Sequence, residues 1–144
     1  MALAELLHIK EIERGPERVE LSMPITPDVY QPHGLLHGGV TIALLETAAS
    51  YGAEERTDFS KELPFGLETT IRHRKPGKTG TLHGVAELER EEPASFGGRK
   101  QFWHVVATDD EGDIISDGIF VTKIVTLAHL EEKKRARETR KAQQ

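Results

Sequence analysis

A glutamate inside an otherwise apolar segment is the residue of this sequence best placed to do chemistry. Glu46 lies within GGVTIALLETAASYGAEE, residues 38–55, which predicts one long helix. An ionised carboxylate among apolar side chains costs several kcal/mol unless it is paired or used. At about 100° per residue, Glu46 shares a face with mostly small residues: Gly39, Ile42, Ala43, Ser50 and Ala53. This face leaves room for a ligand beside a carboxylate and the Ser50 hydroxyl. Alternatively, Glu46 is a structural residue that pairs with an Arg or Lys at a subunit interface.

Two glycines open the same helix, directly after His37. The N–H groups of Gly38 and Gly39 lack intrahelical partners and lie at the positive end of the helix dipole. Because neither residue has a side chain, a ligand can approach their backbone closely. The pair therefore predicts an oxyanion site that polarises a carbonyl group. A tight turn before a helix is the alternative.

The elements that position these residues are predicted to be strands around the helix. Alternation of apolar and polar residues and intervening turn chemistry predict strands at 8–13, 19–25, 63–74, 80–92, 99–109 and 113–126. The short connections between them favour an antiparallel sheet. We predict an α+β fold in which a curved antiparallel sheet of five to six strands wraps one long central helix. This domain covers residues 1–127, and residues 128–144 form a charged helix or tail.

Composition and charge exclude several classes of protein. The chain has no cysteine, so disulfides, thiolate metal sites and cysteine nucleophiles are excluded. The net charge of -5 argues against nucleic-acid binding, although the tail carries six Lys or Arg against three Glu. We expect no membrane span, no signal peptide and a cytoplasmic location. His33 and His37 straddle Gly34 without a metal-binding pattern, and no phosphate-binding loop occurs, so we expect neither metal nor nucleotide cofactor.

The motif Gln31-x5-His37-Gly38-Gly39-x6-Glu46-x3-Ser50 resembles the signature of hotdog-fold acyl-CoA thioesterases. It is closest to the branch that hydrolyses aromatic acyl-CoAs such as 4-hydroxybenzoyl-CoA and 1,4-dihydroxy-2-naphthoyl-CoA. Gly66-Leu67-Glu68 and the following His73 also resemble that branch. The resemblance covers about residues 5–126. The segment 69–72 is poorer in Asn than the usual pattern, and the tail is longer.

The resemblance implies a hotdog fold and a role for each matching residue. The Gly38 amide and the Gln31 side chain would bind the thioester oxygen, with Gly39 beside them. Glu46 of the other subunit would act as nucleophile or as general base, and Ser50 would orient the water. His37 would hold the loop, and His73 would lie near the acyl group. The enzyme would be a homodimer, and two dimers could pair into a homotetramer.

The expected substrate is an acyl-CoA with an aromatic or medium-sized acyl group, hydrolysed without a cofactor. Its phosphates would be held by a run of cations at 72–78, Arg72, Arg74, Lys75 and Lys78, with Arg99 and Lys100 as further candidates. Alternatively, these cations belong to a strand end that is exposed to solvent and bind no phosphate. Three other functions stay open: a non-catalytic acyl-CoA-binding regulator, a hotdog dehydratase or hydratase, and a dimeric scaffold.

Overall fold

A six-stranded antiparallel sheet packs around one long helix in the computed structural model, which describes residues 1–144. The helices are α1 (Leu3–Leu6), α2 (Gly38–Glu55) and α3 (Leu127–Ala142). The strands are β1 (Lys10–Arg14), β2 (Arg18–Pro24), β3 (Glu62–His73), β4 (Thr81–Pro93), β5 (Arg99–Thr108) and β6 (Ile114–Thr126). The predicted α+β hotdog architecture is confirmed.

The strand order is β1-β2-β4-β5-β6-β3, with every neighbouring pair antiparallel. β3 therefore lies at one edge and pairs only with β6, where Glu62 faces Thr126 and His73 faces Ser116. Its other edge carries backbone groups without a strand partner. An unpaired edge of this length is a template for a strand of another chain.

One side of α2 supplies the centre of the core. Leu44, Leu45, Ala48 and Ala49 are fully buried against the sheet. Gly52 allows the indole of Trp103 to pack directly on the helix backbone, because a Cβ at this position would overlap the ring. Glu46 lies on the opposite side of the helix and is exposed in the single chain. The sheet covers only part of the helix circumference, so the predicted burial cost of Glu46 does not arise within one subunit.

A network of ion pairs ties the start of β3 to β5, to β4 and to the end of α2. Arg99 donates to the Glu62 carboxylate, with an N–O distance of 2.6 Å, and also to the carbonyl oxygen of Arg56 at 2.9 Å. Arg56 in turn donates to Glu91 at 3.0 Å. Glu62 is only 6% exposed, so its charge depends on this partner. Hydrogen bonding from Arg99 lowers the pKa of Glu62 despite the opposing effect of burial.

We expect Arg99→Leu to lower the free energy of unfolding at neutral pH by about 2–3 kcal/mol, because it leaves a buried carboxylate unpaired. The cost is below that of a fully enclosed pair, since the Arg99 side chain is 30% exposed. The folded-state pKa of Glu62 lies below its ordinary value, so its contribution is present above about pH 4.5 and lost as the pH falls through the folded value. Chemical unfolding at a series of pH values measures both effects.

The control is Arg135→Leu, whose pair with Glu131 is mostly exposed with an N–O distance of 4.0 Å. This variant should stay within about 0.5 kcal/mol of wild type at every pH. The deficit of Arg99→Leu should shrink in acid, where Glu62 is protonated in both proteins. A deficit of equal size at neutral and acidic pH would assign the loss to packing of the guanidinium and not to charge.

α3 leaves the sheet directly at the end of β6. The Thr126 side chain caps it by accepting from the His129 N–H at 3.1 Å, and the Phe96 ring stacks on His129 with centroids 4.4 Å apart. No residue of α3 is buried. None of the three helices is sufficiently long and apolar to span a membrane.

Candidate active site

The loop before α2 is a small hairpin that holds Gln31 in place. Tyr30 and Leu36 form an antiparallel bridge, and the Gln31 N–H donates to the Leu35 carbonyl oxygen at 2.8 Å. Gly34 closes the turn with φ of +80°, in the left-handed region that favours glycine. The Leu36 N–H donates to the Gly77 carbonyl oxygen at 2.8 Å. The hairpin is therefore fixed against the segment that follows β3.

The N-terminus of α2 presents one free amide group instead of the two predicted. His37 caps the helix, because its Nδ1 accepts from the Gly39 N–H at 2.9 Å. The N–H groups of Val40 and Thr41 donate to the His37 carbonyl oxygen. The Gly38 N–H alone has no acceptor in the chain. His37 Nδ1 therefore serves as the acceptor at the N-cap of α2, and its Nε2 has no partner in the chain.

The His73 imidazole packs directly over Gly38. A Cβ built on Gly38 would lie 2.8 Å from His73 Nε2, so only glycine allows this approach. The other ring nitrogen, Nδ1, lies 2.7 Å from the Ser116 hydroxyl, and Ser116 is fully buried. Ser116 therefore fixes the imidazole. The sequence did not predict this role, because it follows from the pairing of two strands that are distant along the chain.

Gln31, Gly38 and His73 line one open cavity of about 360 Å³. The remaining lining residues are Leu35, Leu36, Thr41, Arg74, Lys75, Pro76, Gly77 and Ile115. The Gln31 Oε1 accepts a hydrogen bond from the His33 N–H, which leaves the Nε2 amide hydrogens free to donate. The Gln31 amide and the Gly38 N–H are thus two hydrogen-bond donors on the lining of one cavity.

Glu46 lies outside this cavity in the single chain. Its Oε1 is 3.2 Å from the position of a Cβ on Gly66, in the edge strand β3. Ser50, one turn further along α2, lines a second cleft of about 190 Å³ with Pro64, Phe65 and Gly66 of β3. Eight residues separate Gly38 from Glu46, which is roughly 12 Å along a helix axis. Within one chain, the Glu46 carboxylate is therefore well separated from the two donors, Gly38 and Gln31.

The family model described as thioesterase superfamily matches residues 33–116, which contain Gly38, Glu46 and Ser116. This chain belongs to the thioesterase superfamily. Family membership makes it a thioester hydrolase, as the sequence predicted.

Relatives of this thioesterase match over most of its length. ComA2 of Bacillus subtilis is 36% identical over 78% of this chain and 86% of its own. The 1,4-dihydroxy-2-naphthoyl-CoA hydrolase of Listeria monocytogenes is 35% identical over 76% of this chain and 85% of its own. A glutamate-to-alanine mutant of the Staphylococcus aureus protein SAV0944 superposes with a TM-score of 0.81 at 31% identity, covering 88% of this chain and 100% of that one. A glutamine-to-alanine mutant of the same protein, described as a thioesterase enzyme, gives a TM-score of 0.79 at 30% identity, covering 85% and 97%.

Two of the four cations in the segment 72–78 of this thioesterase are paired with carboxylates. Arg74 donates to Asp117 with an N–O distance of 2.8 Å. Lys75 Nζ lies 2.7 Å from both Asp109 and Asp113, and these hydrogen bonds raise the pKa of Lys75. Arg72 has no carboxylate within ion-pair distance. The two further candidates for phosphate binding, Arg99 and Lys100, do not line the cavity, and Arg99 belongs to the network with Glu62.

Three carboxylates of the thioesterase come close together in the turn before β6. Oxygen atoms of Asp109, Glu111 and Asp113 lie within 4.8 Å of one another. The Lys75 ammonium group already binds two of the three. Lys75 therefore holds the 109–113 turn against the loop that follows β3.

Proposed function

We propose that this protein hydrolyses acyl-CoA, converting acyl-CoA and water to a carboxylic acid and free CoA. The observation that carries the proposal is the free Gly38 N–H at the positive end of α2, on the wall of a cavity that the Gln31 amide also lines. Two donors aimed at one position stabilise negative charge on an oxygen. A thioester carbonyl develops such a charge when it is attacked.

The donors would act on the carbonyl oxygen, so the attacking group must come from elsewhere. We propose Glu46 of a second subunit in this role. A two-fold axis brings the Glu46 of each subunit to the Gly38 of the other, giving two equal sites per dimer. The two S. aureus mutants support the assignment, because the substituted glutamine and glutamate are as far apart along their chain as Gln31 and Glu46 are here.

Two routes fit a single carboxylate. As general base, Glu46 takes a proton from water while the water oxygen bonds to the carbonyl carbon, and the C–S bond then breaks. As nucleophile, a Glu46 oxygen bonds to the carbonyl carbon and displaces the CoA thiolate, and water then hydrolyses the anhydride. Ser50 lies one turn along the same face and would orient the water in either route. A thiol has a pKa of about 8.5, so the thiolate leaves without a strong acid.

The remaining residues would position the substrate. His37 holds the Gly39 amide and so fixes the start of α2, while His73 lies over Gly38 where the thioester would pass. Arg72, Arg74 and Lys75 would meet the CoA phosphates, with Arg72 the one that has no carboxylate partner. The name of the L. monocytogenes relative favours an aromatic acyl group. The cytoplasmic location and the dimer or tetramer stay predictions.

The test is steady-state hydrolysis of a panel of aromatic and aliphatic acyl-CoAs, with free thiol detected by a chromogenic reagent. The chain has no cysteine, so it adds no thiol signal. We expect at least one aromatic acyl-CoA to reach a kcat/KM of about 10⁴ M⁻¹s⁻¹ or more. Binding of acyl-CoA without turnover across the panel would contradict hydrolysis and favour a non-catalytic regulator.

A further inference from the structure

Five cations of α3 lie on one side of the helix. At about 100° per residue they fall within an arc of roughly 120°, and we call them the basic stripe: Lys133, Lys134, Arg137, Arg140 and Lys141. The other side carries the acidic residues and Arg135, which makes the only ion pair within the helix, with Glu131. No member of the basic stripe has a carboxylate within 4.0 Å. Lys133, Arg137 and Lys141 are spaced four residues apart, where like charges destabilise a helix. An anion bound along the stripe would relieve this repulsion.

The first turn of α3 lies beside the start of β3. The Leu127 N–H donates to the Lys61 carbonyl oxygen at 2.9 Å, and Glu62 pairs with Thr126. The carbonyl-binding cavity lies at the opposite end of β3, at His73. Within one chain, α3 therefore begins about 35 Å from the cavity, measured along eleven strand residues.

In the proposed dimer, α3 of one subunit instead lies close to the cavity of the other subunit. Gly66 of β3 lies beside Glu46, and His73 lies beside Gly38. If Glu46 of one subunit meets Gly38 of the other across antiparallel β3 edges, Gly66 of one strand is opposite His73 of its partner. Four residues further, Glu62 of the first subunit comes opposite Gly77 of the partner. α3 of each subunit then begins beside the segment 74–78 of the other, about 13 Å from the partner's His73 along the strand.

That segment borders the active site but offers few free cations. Arg74 and Lys75 are bound by carboxylates of their own chain. Lys78 has no such partner, but the cavity of about 320 Å³ that runs from Lys75 to Gly80 is also lined by the acidic residues Asp109, Asp110 and Glu111. A substrate with several phosphate groups needs more positive charge than this loop provides.

We propose that the basic stripe of each subunit binds the nucleotide phosphates of the acyl-CoA held in the other subunit's active site. This inference rests on the proposed function. The basic stripe would be the second contribution, after Glu46, of one subunit to the active site of the other. The stripe supplies unpaired cations where the pantetheine arm leaves the cavity, and the 16-residue length of α3 spans about 24 Å.

The test compares two thioesters of one acyl group, the CoA ester and the N-acetylcysteamine ester, which has no phosphate. In the full chain, the five stripe residues are changed to Gln, which keeps helix propensity. We expect the KM for acyl-CoA to rise about tenfold or more at low salt, with kcat within about twofold of wild type. The KM for the N-acetylcysteamine ester should not change.

A matched pair of single variants controls for loss of charge alone. Arg137→Gln lies in the stripe and should raise the KM for acyl-CoA, whereas Arg135→Gln lies on the other side and should leave it unchanged. An unchanged KM for acyl-CoA in the fivefold variant overturns the inference, and so does an equal rise for both esters. Absence of turnover on both esters by the wild-type protein contradicts the proposed function instead.

Discussion

Glu46→Ala is expected to lower kcat for acyl-CoA hydrolysis by a factor of about a thousand or more. The variant keeps Gly38 and Gln31, the proposed donors to the carbonyl oxygen, but loses the carboxylate proposed to activate water or to attack the thioester. KM should change little, because the carboxylate does not hold the CoA moiety. Steady-state kinetics on the best substrate of the acyl-CoA panel measures both constants.

The loss should be chemical and not structural. Glu46 is exposed in the single chain and makes no hydrogen bond or ion pair there, so Glu46→Ala should leave the thermal midpoint within a few degrees of wild type. Glu55→Ala is the control for activity: it removes an exposed carboxylate from the same helix, one that pairs with Arg14 at 2.7 Å, and should retain activity. Full activity in Glu46→Ala would mean that another residue performs the attack.

Local structure was largely predictable from the sequence. Residues 38–55 were predicted as a helix and α2 has these bounds, because its apolar run is closed by a glycine pair at one end and charged residues at the other. The predicted bounds of β2 to β6 agree with the observed ones to within about one residue, since turn residues such as Gly77, Gly97 and Gly112 separate these strands. β1 starts two residues later than predicted.

The spatial relations were not predictable in the same way. β3 lies at the sheet edge and pairs only with β6, a long-range pairing that no local pattern encodes. The contact between His73 and Ser116 follows from that pairing, as does the ion pair of Arg74 with Asp117. The run of cations at 72–78 therefore suggested side chains that are free to bind phosphate. In the fold, two of these cations are paired with carboxylates.

Mixing two inactive variants tests whether Glu46 acts on a thioester that is held by Gly38 of the other subunit. Gln31→Glu keeps an oxygen that accepts from the His33 N–H but removes the donor to the thioester, and it should lower kcat by about 10²–10³. Glu46→Ala removes the carboxylate. In a heterodimer of the two, one site receives both changes and the other receives neither.

Unfolding and refolding the two variants together at equal concentration should therefore restore activity. Random pairing makes half of the dimers heterodimers, so about one quarter of all sites are intact, and kcat should return to about one quarter of wild type. Glu46→Ala refolded with Glu46→Gln is the matched control and should stay inactive, because no pairing of these chains has a complete site. If a single chain contained the whole site, both mixtures would be equally inactive, since every site would carry one change. Recovery in the first mixture alone would establish that Glu46 acts on a thioester held by the other subunit.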